Sequence, residues 1–81
     1  MTVENTTKKK RCDEEALGRI AAKLTALREE RGEFQRDAAR ATGLNIGLIE
    51  TGRRNITLCT IERLCRYYGI SLVRFFDEVE L

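Results

Sequence analysis

With 81 residues, the chain has room for one hydrophobic core, because a second would need on the order of 50 residues more to stand alone. Apolar residues make up 42% and charged residues 35%, with a net charge of +2, a balance that excludes a disordered chain and favours a soluble globular one. No stretch is apolar enough to span a bilayer, and the opening MTVENTTKKKRC lacks the apolar segment of a secretion signal, so a cytoplasmic protein with no membrane partner is expected.

Proline is absent, aromatic residues are few, and Ala, Leu, Arg and Glu recur; the predicted class is therefore all-α, without strands. Residues 1–12 read as a flexible basic tail and residues 13–81 as the folded domain. Lys8, Lys9, Lys10 and Arg11 in that tail either reach into a minor groove or serve solubility. Asp13 is placed to cap a first helix, with Glu14 and Glu15 where the helix dipole favours negative charge. Its apolar face follows as Leu17, Ile20, Ala21, Leu24 and Leu27, and Arg31 with Gly32 supplies the stop.

A short second helix is predicted over residues 34–41, broken by Thr42 and Gly43. Asn45 can cap a third that runs to about residue 51, before Gly52. Thr57 caps a fourth with Leu58, Ile61, Leu64, Cys65 and Tyr68 facing inward, and Gly69 ends it. Ser71 caps a fifth carrying Leu72, Phe75, Phe76 and Val79 at i, i+3, i+4 and i+7. Five short helices with tight connections leave no space for a deep substrate cleft, and no catalytic constellation is present in the sequence, so an enzyme is not expected.

Cys12, Cys59 and Cys65 are odd in number, lack the paired spacing of zinc sites, and have no histidine to complete one. Neither a metal nor a cofactor is expected. Cys59 and Cys65 read as small helix residues and Cys12 as an incidental thiol, with a redox switch as the alternative. Positive charge gathers in two places: the tail, and residues 34–66, where Arg36, Arg40, Arg53, Arg54, Arg63 and Arg66 outnumber Asp37, Glu50 and Glu62.

The order of these landmarks, from LREERG at 27–32 to YYGISLVRFF at 67–76, resembles the phage-repressor-like (Cro/CI, XRE) helix-turn-helix family over about residues 17–79. Gln35, Ala39, Gly43 and Ile49 stand at the offsets of that motif, and ETGRRN and TLCTIERLCRYYGISL match its closing loop and fourth helix. The resemblance is closest in style to restriction-modification controller proteins and small prophage regulators. It implies a compact five-helix, lambda-repressor-like domain that binds double-stranded DNA. The chain departs from the pattern in three ways. Glu33 and Phe34 stand where an apolar residue and a hydroxyl cap are usual, and Ala38 where a larger aliphatic is usual, so Phe34 is expected to turn inward and fill the space. The segment between Gly43 and Gly52 is also roughly three residues short, most of one helical turn.

Base readout in such a motif falls to Asn45, Ile46, Gly47, Glu50 and Thr51. Asn45 can bond adenine or be spent as the cap; Ile46 can touch a thymine methyl, Glu50 can accept from cytosine, and Thr51 can do either. Gly47 either lets the helix approach a backbone or packs tightly on the second helix. Phosphate contacts are expected from Gln35, Arg36 and Arg40 on the second helix and from Arg53 and Arg54 after the third. Leu72, Val73, Phe75, Phe76, Val79 and Leu81 overfill a small core and are expected to form a homodimer interface. The function read from this pattern is a homodimeric, sequence-specific transcriptional regulator acting on operator DNA. The alternative is a protein-interaction module, an antagonist or antitoxin-like partner, that keeps the fold with weakened or lost DNA reading.

Overall fold

The computed structural model describes the backbone of residues 3–79 and the side chains of residues 14–79. Among the described residues the chain forms five helices and no strand: α1 (Val3–Glu30), α2 (Gln35–Thr42), α3 (Ile46–Ile49), α4 (Leu58–Tyr68) and α5 (Leu72–Val79). None of these helices is long and apolar enough to cross a membrane. The expected all-α class therefore holds, with two boundaries redrawn. α1 begins before Asp13, which stands inside the helix and does not cap it; no glycine or proline between residues 3 and 17 stops a helix there. The expected tail, residues 1–12 with its KKKR run, lies outside the described side chains. α3 spans four residues, shorter than anticipated.

The core forms where the apolar stripes meet. α1 contributes Ile20, Leu24 and Leu27, α4 contributes Ile61, Leu64, Cys65 and Tyr68, and α5 contributes Phe75 and Val79, while Ala38 of α2 and Ile46 of α3 close one end. α1 packs against α4 and α5, and α2 packs against α3 and α4. Burial of these side chains drives assembly, since α2, α3, α4 and α5, of 8, 4, 11 and 8 residues, are too short to be stable alone. Two of the predicted interface residues are consumed here. Phe75 is fully buried and Val79 nearly so within their own chain, because the 3.6-residue period turns both onto the α1–α4 seam. They are corrected from dimer contacts to core residues. The Tyr68 hydroxyl is buried without a hydrogen-bond partner among the described residues, and burial pushes its pKa up to about 12.

Local chemistry sets the ends. The Asn45 side chain accepts from the Leu48 N–H (3.1 Å), Thr57 Oγ1 accepts from the Thr60 N–H (3.1 Å), and Ser71 Oγ accepts from the Arg74 N–H (3.1 Å); each satisfies a donor that a helix start leaves open. α2 has no such cap. Phe34 precedes it with no side-chain acceptor, and the one arm of a capping box that exists runs backward, the Phe34 N–H donating to Asp37 Oδ2 at 2.9 Å. Phe34 does not fill the space beside Ala38, as the sequence suggested. It is 66% exposed, with the Arg36 guanidinium 5.3 Å from its ring centre, and Ala38 is fully buried in the core without it.

α2 ends at Gly43, whose φ of 76° turns the chain toward α3 and whose N–H reaches the Ala39 carbonyl at 2.8 Å. Gly52 repeats the left-handed conformation after α3, at φ 75°, but against a wall: a Cβ there would lie 3.1 Å from the Cα of Gly18 on α1. Beside Gly43 the same atom would meet open space. Gly43→Ala is therefore expected to cost about 1 kcal/mol from conformation alone, and Gly52→Ala at least about 2 kcal/mol because backbone must also move. Urea denaturation of the two variants gives this order.

Candidate nucleic-acid interface

α2, the turn at Gly43, and α3 form a two-helix corner whose outer surface is bordered by the α3–α4 loop, residues 50–57. One buried ion pair holds the corner to α1. Arg28, nine-tenths buried, lies one turn beyond Leu24 on the inward stripe of α1. Its Nε donates to Glu50 Oε2 at 2.8 Å and its Nη2 to Glu50 Oε1 at 3.0 Å, a two-point pairing, while Nη1 donates to the Glu33 carbonyl at 2.6 Å. Gln35 Nε2 adds a further hydrogen bond to Glu50 Oε1 at 2.9 Å. One carboxylate thus joins α1, the first residue of α2 and the end of α3.

That arrangement decides which of the predicted site residues face outward. Glu50 is not placed to read cytosine: its side chain is 5% exposed and its oxygens are committed to Arg28 and Gln35. Ile46 is not placed to touch a thymine methyl: it is 1% exposed, because the first residue of α3 turns into the core. Gly47 is half-exposed, and a Cβ there would lie 3.3 Å from Gln35 Oε1, so it sits beside the second helix. Thr51 is exposed, but its hydroxyl donates to the Leu48 carbonyl at 2.6 Å and accepts the Arg53 N–H at 3.2 Å. Asn45 is exposed and spends its side-chain oxygen as the cap.

The residue that sequence reasoning missed on this face is Leu48, 37% exposed, which lines a shallow groove together with Asn45 and Arg54. No periodic signal could have found it, because four residues scarcely complete one helical turn. Arg28 was also missed, although a charged residue four positions after Leu24 was the available signal. Arg36, Arg40, Arg53 and Arg54 are all exposed, and none is paired with a carboxylate among the described residues. Arg53 borders a second groove toward α1, lined also by Glu14, Leu17 and Ile20. The acidic groups of the corner itself are engaged elsewhere. Glu50 is enclosed, Asp37 is held at the start of α2, and Glu33 accepts from the Tyr67 hydroxyl at 2.9 Å and from Arg31 at 3.2 Å. Among the described residues no group of histidine, cysteine or acidic side chains is arranged to hold a metal ion.

A corner of two helices, anchored by a third and bordered by exposed arginines, is the arrangement of a helix-turn-helix domain. Residues 19–75 match the helix-turn-helix domain family, and the chain belongs to that family. It is similar to the HTH-type transcriptional regulator PuuR of Escherichia coli (strain K12) and to the protein of that name from Shigella flexneri, 36% identical over 61 residues in each case. The alignment covers 72% of this chain and 33% of each relative, so the chain spans about a third of their length. No solved structure matches.

The ion pair has a measurable signature in pH. Burial raises the Glu50 carboxyl, but the hydrogen bonds from Arg28 and Gln35 and the charge of Arg28 outweigh it, leaving Glu50 below the usual carboxylate range. A folded-state pKa below the unfolded one contributes stability that is complete above the ordinary carboxyl value of about 4.3. That contribution is lost as pH falls through the lower folded value. Glu50→Gln, which leaves Arg28 buried without its counter-charge, is expected to cost about 3 kcal/mol at pH 7. Its deficit against the natural chain should narrow in acid, which denaturant midpoints measured from pH 7 to pH 3 will register.

Proposed function

We propose that the protein is a DNA-binding transcriptional regulator that sets its helix-turn-helix corner against duplex DNA and acts as a homodimer. The observation that carries the reading is the set of four exposed arginines without carboxylate partners among the described residues: Arg36 and Arg40 on α2, Arg53 and Arg54 after α3. They precede and follow α3 in the chain, two on the helix before it and two in the loop after it, where phosphate contacts would flank a helix entering a groove. Gln35 opens α2 beside them, its amide held toward Glu50. The names of the similar proteins, transcriptional regulators of the helix-turn-helix type, support the same reading.

Dimerisation would rest on the outer side of α5. Val73 is 82% exposed, and Leu72 and Phe76 are half-buried beside it, while Leu81 lies outside the described residues. A second copy would place two corners on successive turns of one duplex and combine their binding energies, which one four-residue reading helix needs. That same shortness favours a second reading, an antagonist or antitoxin-like partner that keeps the fold without DNA recognition. A stoichiometric protein partner with no retained DNA on purification from the native host would select it.

Replacing Arg53 and Arg54 together by alanine should weaken binding to all duplexes nearly uniformly. It should also lower the slope of log affinity against log salt by about 2, since each phosphate contact contributes about 0.9. Absence of any duplex binding by the natural chain at low salt would overturn the proposal. Val73→Glu should leave the melting curve nearly unchanged, because the side chain stands in solvent, and shift sedimentation toward the monomer by at least about tenfold in dissociation constant.

A further inference from the structure

With Ile46 and Glu50 turned inward and Ile49 half-buried, the exposed side chains on α3 and its cap are Asn45 and Leu48. The Asn45 amide has a fixed polarity. Its Oδ1 holds the Leu48 N–H at 3.1 Å, and only the oxygen can accept that proton, so the Nδ2 amino group is the edge left for a ligand. Asn45 therefore lacks the free donor and acceptor together that adenine's major-groove edge requires. Leu48 offers an apolar surface in the same groove, with Arg54 on the rim. A donor beside an apolar patch is the complement of one base edge in the major groove, that of thymine, which presents the O4 acceptor next to the 5-methyl group. Cytosine presents a donor where thymine has its acceptor, and it has no methyl.

We propose that Asn45 and Leu48 act as a thymine-reading pair, Asn45 Nδ2 donating to O4 and Leu48 covering the 5-methyl group, with the charge of Arg54 beside them drawing the phosphate strand into the groove. This rests on the DNA-binding reading above and adds to it the base that is chosen and the chemistry of the choice. Grip and choice are then separate on the surface: arginines hold any duplex, and one neutral pair selects.

The test starts from duplexes selected by the full chain out of a random-sequence pool, followed by titration of single-base replacements. Exchanging the contacted thymine for uracil removes only the methyl and should weaken binding about fourfold; Leu48→Ala should bind both duplexes equally. Exchanging the A·T pair for G·5-methylcytosine keeps the methyl but presents a donor to Asn45, and should weaken binding about tenfold. Asn45→Asp keeps the cap acceptor of α3 while replacing the outward donor by an acceptor, and should reverse that last preference. Circular dichroism of both variants confirms that α3 and its surroundings are kept. Equal binding of the thymine and uracil duplexes by the natural chain at every selected position overturns the pair. So does a preference for thymine over uracil that survives in Leu48→Ala. If these results come with binding that still depends on Arg53 and Arg54, DNA recognition stands and only the pair falls; if no duplex binds at low salt, both fall.

Discussion

The two-point bond between Arg28 and Glu50 is the constraint on which the rest of the molecule turns. Taking two charges out of water is costly, and their attraction compensates only when geometry is good and the remaining donors are satisfied. Here those conditions are met, since the guanidinium also reaches the Glu33 carbonyl and the carboxylate also accepts from Gln35. α3 has four residues and cannot hold itself as a helix. Ile46 anchors its first residue in the core, and Glu50 ties the position just after its last one to α1. Between those fixed points the outward direction of Leu48 is settled.

This explains both what a reader of the sequence alone could reach and where that reading stops. The long elements were legible because their periodicity has room to repeat: the stripe of Ile20, Leu24 and Leu27, and that of Ile61, Leu64 and Tyr68, point inward as their spacing requires. The caps at Asn45, Thr57 and Ser71 were legible because each rests on one short-range bond. α3 was not. In so short a helix the inward face is chosen by what lies across from it, and the partner of Glu50 is 22 residues away in the chain. The outward reading of Ile46 and Glu50 failed for that single reason.

Phe34 and the α5 residues went astray in the opposite direction, through arguments about volume. Phe34 was expected to fill the space that Ala38 leaves, but Ala38 is fully buried without it, and the ring stays outside near Arg36. Phe75 and Val79 were assigned to a surface that the core had already claimed. Counting apolar residues bounds how much surface must be covered, but it does not say which side chains cover it.

The passage of Gly52 over Gly18 bears on the kinetics of recognition. Where two backbones lie this close, with no side chain between them, the strand that leads into Arg53 and Arg54 has little freedom to wander. On the proposed DNA-binding reading, a backbone held there loses little order when its arginines meet phosphate. On that reading, encounter rates answer mainly to the long-range field of the arginines and to the ions that screen it.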